Sequence, residues 1–171
     1  VIYTDKWIFV HVPKAAGTSL GMALGGKSPG YPTHTPLRCV EKGQRVAFGF
    51  VRNPWARMVS LYRFLCQKPF RNTDNFDQAG VRAAGFKRWL MQDEFFMQED
   101  ILPTGEPWIV RSRWRGDGVS DLPPMQRRPQ MWWLEGCDII GRVENLPEDY
   151  RRICRMIDVT PHDLKRANAT A

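Results

Sequence analysis

The stretch Trp7-Ile8-Phe9-Val10-His11-Val12-Pro13-Lys14-Ala15-Ala16-Gly17-Thr18-Ser19-Leu20 passes from an apolar run through a lysine into a glycine-containing turn. Its first part, Trp7 to Val12, is rich in β-branched and aromatic residues, which predicts a buried strand over 7–12. Thr18 or Ser19 can cap a helix over 18–25 that continues through Leu20, Met22 and Leu24. A turn so placed aims backbone N–H groups and the positive end of a helix dipole at one point, where Lys14 adds a full charge. The stretch reads as a cradle for a phosphate-like anion. A strand-turn-helix connection with a solvated lysine is the plainer alternative.

The Walker pattern needs a glycine, four residues, then Gly-Lys-Ser/Thr. Here the lysine precedes the glycine and no second glycine stands at the required spacing, which disfavours an ordinary ATP- or GTP-binding loop.

Further along, Val46 to Val51 predicts a second buried strand, followed by a helix over 54–66 with Asn53 as N-cap and Pro54 at the first helical position. Trp55, Met58, Val59, Tyr62 and Leu65 supply its apolar stripe. Arg52 then lies at a strand's carboxyl end and Ser60 on the helix after it. A guanidinium fork and a serine hydroxyl are suited to a phosphate, though a surface arginine and a helix-buried serine would leave the same trace.

A third segment, Gln130-Met131-Trp132-Trp133-Leu134 and then Cys137 to Tyr150, predicts a strand over 138–143 and a helix over 147–158. Arg142 and Glu144 read as an ion pair or a solvated strand end, with no catalytic role. A helix is also expected around 82–97, and 103–129, rich in Pro, Gly and Arg, as an irregular acceptor-side loop. Repeated strand-turn-helix units predict an α/β fold with a parallel sheet and an anion site at the carboxyl ends of its strands. The length suits one domain over 1–171.

Together these segments resemble sulfotransferases that use 3′-phosphoadenosine 5′-phosphosulfate (PAPS), in particular the carbohydrate group of Golgi and bacterial enzymes related to sulfotransferase family 2. Pro13 to Leu20 is similar to their 5′-phosphosulfate loop, and Phe50-Val51-Arg52-Asn53-Pro54-Trp55 through Tyr62 to their 3′-phosphate motif, with Ser60 eight residues after Arg52. Gln130 to Leu134 and Ile139 to Leu146 resemble their Gln-x-x-Trp-Leu and Ile-Gly-Arg-Phe-Glu-Asn-Leu segments. The likeness covers roughly residues 7 to 160.

The resemblance implies a P-loop-NTPase-like parallel sheet flanked by helices, PAPS as donor, adenosine 3′,5′-bisphosphate as product and no metal. It implies transfer of a sulfuryl group to an acceptor hydroxyl, on a carbohydrate by preference. Lys14, Ala15, Ala16, Gly17, Thr18 and Ser19 would hold the 5′ end, and Arg52 and Ser60 the 3′-phosphate. Family members usually continue into further helices where this chain stops at Ala171, so a fragment or a compact version of the fold is expected.

An acceptor hydroxyl needs a base. His34 resembles the histidine that some family members carry in a His-x-x-x segment between the two nucleotide motifs and is chosen as the base, His11 is the second candidate beside the Lys14 loop, and His162 reads as solvated. Glu41 and Asp74 have nothing in their local pattern to single them out.

A formal net charge of +7 favours anionic partners without saying which. Arg111, Arg113, Arg115, Arg127 and Arg128, interleaved with Trp108 and Trp114, suit an acidic glycan, a nucleic acid or plain solvent. Of these, nucleic acid is disfavoured. The four cysteines lack metal-ligand spacing, and no run is long enough to cross a bilayer. A bacterial cytosolic enzyme and a trimmed Golgi luminal domain would both look this way. A kinase-like phosphotransferase and a non-catalytic polyanion-binding protein are the rival classes.

Overall fold

The computed structural model describes residues 1–25, 33–67, 78–91, 100–101, 107–109 and 128–165. The chain divides into two compact units, residues 1–53 with the segment from 130 onward, and residues 54–129. In chain order the elements are β1 (Ile2–Tyr3), β2 (Trp7–Val10), α1 (Gly17–Leu24), β3 (Val46–Val51), α2 (Pro54–Gln67), α3 (Gln78–Met91), β4 (Asp100–Ile101), β5 (Pro107–Ile109), α4 (Met131–Leu134), β6 (Ile139–Arg142) and α5 (Leu146–Met156), with 3-10 turns at Leu37–Cys39 and Val143–Asn145.

The first unit is built on a four-stranded sheet of order β1-β2-β3-β6. The three strands expected from the sequence pair in parallel, Phe9 opposite Phe48 and Phe48 opposite Ile139. The expectation of a purely parallel sheet needs correction, because β1 adds an antiparallel edge, Ile2 opposite Phe9. Two residues carry too little periodicity to be read as a strand; β1 forms because the Thr4 amide donates to the Trp7 carbonyl, closing a tight turn (2.9 Å). β2 stops at Val10 rather than at 12, since Pro13 has no N–H to continue a ladder and the chain turns there into the lysine loop.

Alternation sorts the strands' side chains. One face sends Trp7, Phe9, Phe48, Phe50 and Ile139 into a core with Leu20, Ala23 and Leu24 of α1 and Tyr150, Ile153 and Cys154 of α5. Burying each Phe, Leu or Ile side chain there is worth about 1.5–3 kcal/mol. On the opposite face a Cβ on Gly49 would lie 2.2 Å from Leu134 Cδ2, so glycine there lets α4 sit directly on β3. α5 holds to its expected amphipathic pattern, with Pro147 in its first turn, Glu148 and Asp149 beside it and Arg155 in the last turn, each sign matching the helix dipole.

Side chains fasten the strand ends. Asp138 Oδ2 accepts from the Ala47 amide (2.7 Å) while its Oδ1 pairs with Lys42 Nζ (2.7 Å), which holds the carboxyl below its ordinary range. Along the outer edge of β6 the Arg142 amide donates to Asp149 Oδ2 (2.7 Å) and Arg152 Nη2 donates to the Ile140 carbonyl (3.4 Å). Asp149 and Arg152 also pair with each other (3.2 Å).

The second unit contains α2, α3 and the hairpin β4-β5. α2 begins at Pro54 as expected, but its buried side differs from the expected stripe: Arg57, Met58, Leu61 and Leu65 are buried, whereas Trp55 (73% exposed) and Val59 face solvent. Tyr62, Phe86 and Trp89 pack ring against ring, Tyr62 and Trp89 with centroids 5.4 Å apart. α3 starts four residues before the expected 82, and Gly85 (φ 72°, ψ 165°) interrupts it with a conformation that glycine alone adopts readily. Its expected continuation over 92–97 lies outside the described residues.

Pro107–Ile109 pairs antiparallel with Asp100–Ile101, so the expectation of an irregular 103–129 fails there, where a short strand finds a partner. Arg111, Arg113, Arg115, Arg127, Trp114 and Asp74 lie outside the described residues. Arg128 is 1% exposed, which corrects its assignment to a basic surface. Its carbonyl accepts from Arg57 Nη1 (3.2 Å), and burial lowers the Arg57 pKa to about 10.

Candidate anion-binding site at the carboxyl ends of the strands

The loop between β2 and α1 is shaped by two left-handed residues that are not glycine, Lys14 (φ 65°) and Ala16 (φ 59°). Each costs about 1–2 kcal/mol relative to a right-handed conformation, and strain of this kind collects in ligand cradles. The turn closes where the Ala15 amide donates to the Val12 carbonyl (3.2 Å) and the Leu20 amide to the Ala16 carbonyl (3.1 Å).

Helix α1 therefore starts at Gly17 with Ala16 as N-cap and no capping side chain, which corrects the expected cap at Thr18 or Ser19. The amides of Gly17 and Thr18 belong to the first turn, whose leading N–H groups have no acceptor within the helix. Ala15 is buried and its amide serves the turn, so the donors expected for an anion begin at Ala16. Thr18 is exposed and Ser19 half-buried.

Behind this turn lies His11. A Cβ on Gly17 would fall 1.7 Å from His11 Cδ2, so the imidazole rests on the bare backbone of the helix start. The ring also stacks on Phe9 and meets His34 edge-on, with centroids 4.4 Å apart. Burial pushes the His11 pKa well below its ordinary value, and His34, the Val1 amino group and Lys14 press it in the same direction. A buried, weakly basic ring is a poor proton acceptor.

One consequence is measurable. The unfolded chain binds a proton on this imidazole near pH 6.5 that the folded chain refuses, so the contribution is absent above about pH 6.5 and stability falls as pH drops below it. His11→Gln is expected to lose less stability than the wild type between pH 7 and pH 5, as read from urea midpoints.

His34, the other histidine of the pair, is half-buried, with Nδ1 2.9 Å from the His11 carbonyl oxygen. A carbonyl only accepts, so Nδ1 carries the hydrogen and Nε2 is the basic nitrogen of the neutral ring. Trp133 Nε1 donates to the His34 carbonyl (3.1 Å), tying this residue to α4. His162 is exposed, as expected from the sequence.

Arg52 follows β3 and is half-buried, and its Nη1 lies 3.4 Å from the Lys14 carbonyl oxygen. Two cationic residues from separate sequence segments thus meet in the first unit. Ser60 stands half-buried on α2, in the second unit.

Sequence reasoning gave no role to three residues that hold this site. Gln130 pairs with Arg52 in both directions, Oε1 accepting from the Arg52 amide (2.8 Å) and Nε2 donating to its carbonyl (2.7 Å). Glu144 Oε1 accepts from the Asn53 amide (2.7 Å), and Trp133 fixes His34. Arg142 and Glu144 are both exposed, as the solvated strand end among the two expected readings has it; Glu144 also holds the Asn53 amide, and the Arg142 amide is held by Asp149. Partners separated by 78, 91 and 99 positions leave no trace in local periodicity. The only available signal was the presence of all three residues in the third resembling segment.

Comparison with family models, curated proteins and solved structures finds no match to this chain. Among the described residues no helix is long and apolar enough to cross a membrane, and no group of three or more His, Cys, Asp or Glu side chains could hold a metal ion.

Proposed function

We propose that the chain is a sulfotransferase that moves a sulfuryl group from PAPS to an acceptor hydroxyl, with a carbohydrate as the acceptor class. The observation that carries this reading is the approach of Arg52 to Lys14 at the carboxyl ends of two neighbouring parallel strands, beside a strained turn that opens a helix. The three resembling segments and the basic charge support it.

In this reading the acceptor oxygen forms a bond to sulfur while the bond from sulfur to the bridging oxygen of the 5′-phosphate breaks. Sulfate ester and adenosine 3′,5′-bisphosphate result. His34 Nε2 takes the acceptor's proton. Lys14 neutralises the charge growing on the bridging oxygen, the amides from Ala16 to Ser19 hold the phosphosulfate end, and Arg52 takes the 3′-phosphate. The chemistry is mainly positioning and charge neutralisation, as in phosphoryl transfer.

Thermal-shift titration with adenosine 3′,5′-bisphosphate, adenosine 5′-monophosphate and ATP with Mg²⁺ tests the proposal. A ligand at a hundred times its Kd contributes about 2.7 kcal/mol, and each kcal/mol moves the Tm of a chain of this size by about 2–4 °C. The bisphosphate is expected to raise Tm by about 5–10 °C and the monophosphate much less. Stabilisation by ATP alone would assign the cradle to a phosphotransferase. No stabilisation by any nucleotide would leave a polyanion-binding protein.

A further inference from the structure

We infer that Gln130 is a positioning residue for recognition of the ligand's 3′-phosphate, acting through Arg52; the inference rests on the sulfotransferase reading. The Gln130 side-chain amide pairs with Arg52 as a residue of a neighbouring strand would, occupying both its N–H (2.8 Å) and its C=O (2.7 Å). β3 ends at Val51, so the first residue beyond the ladder is held by a side chain instead of by a strand. Glu144 takes the next amide, that of Asn53, at 2.7 Å.

With the backbone secured on both sides, the Arg52 side chain leaves the sheet from a fixed frame. The clamp uses both Arg52 peptide groups and leaves its guanidinium donors for other partners, one of which reaches the Lys14 carbonyl. A guanidinium fork recognises phosphate only in a defined orientation, so holding its Cα reduces the entropy lost on binding.

The test compares Kd values for adenosine 3′,5′-bisphosphate and adenosine 5′-monophosphate by calorimetry, in the wild type, Gln130→Ala, Gln130→Glu, Arg52→Ala and the double alanine variant. Gln130→Ala is expected to weaken the bisphosphate about tenfold, the equivalent of about 1.4 kcal/mol, and the monophosphate less than twofold. Gln130→Glu keeps the acceptor for the Arg52 amide and loses the donor to its carbonyl, so it should fall between the wild type and Gln130→Ala. The double variant should lose no more preference than Arg52→Ala alone.

Equal weakening of both nucleotides would mark Gln130 as merely structural and overturn the inference. An unchanged preference in Gln130→Ala would do the same while leaving the sulfotransferase reading intact. A wild type that does not distinguish the two nucleotides would remove that reading and the inference together. If Gln130→Ala lacks a cooperative melt, the Glu variant decides by the same ratio.

Discussion

Lys14→Ala is expected to lower the rate of sulfuryl transfer by about 10²–10³-fold while changing the Kd of the intact PAPS donor by less than about threefold. The charge that Lys14 would meet appears on the bridging oxygen only as the sulfur bond breaks, so the loss belongs in kcat and not in ground-state binding. The substitution is a clean probe because of the backbone. Lys14 already sits at φ 65°, where alanine pays a similar cost, so the turn keeps its shape when the ammonium is removed. Lys14→Arg should recover only part of the rate, since a planar fork cannot occupy the position of a compact point charge. Radiolabelled donor and a panel of neutral and anionic glycans supply the assay. Transfer by Lys14→Ala at the wild-type rate would end the assignment.

Gly17→Ala should have the largest effect on folding. The added methyl would stand 1.7 Å from His11 Cδ2 and 2.0 Å from Nε2, and the ring is packed between Phe9 and His34 with little room to retreat. Overpacking of this kind costs about 1–3 kcal/mol or more, or roughly 2–12 °C in Tm for a chain of this size. The methyl would also push the first turn of α1 away from the loop, so nucleotide affinity should fall together with stability. His11→Ala in the same chain removes the obstructing ring and should restore part of both. If Gly17→Ala melts like the wild type, His11 does not fill the space beneath the turn.

The parallel sheet was legible because its strands are short apolar runs punctuated by turn chemistry: Trp7 to Val10 before Pro13, Val46 to Val51 before Asn53-Pro54, and Ile139 to Arg142 before Leu146-Pro147. The antiparallel β1 was not, since two residues cannot show a period. α2 shows why its buried side was misjudged: with Arg57 inside and Trp55 outside, apolarity and burial part company. In the candidate site, Lys14, Arg52 and the histidines were readable as residue types at telling positions. The left-handed conformation of Lys14 and Ala16 was not, because neither residue prefers it. Nor could the sequence reveal that His11 packs under Gly17, where burial lowers its basicity, while His34 stands half-buried with Nδ1 on the His11 carbonyl.

The pairing of Asp149 and Arg152 along β6 bears on how this protein meets other chains. A polypeptide seeking to lengthen the sheet would look for a donor at Arg142 and an acceptor at Ile140, and it finds both already engaged by α5. Lateral recruitment of a fifth strand on that side, whether by fibril growth or by exchange between copies, must first dislodge a charged pair from its own helix.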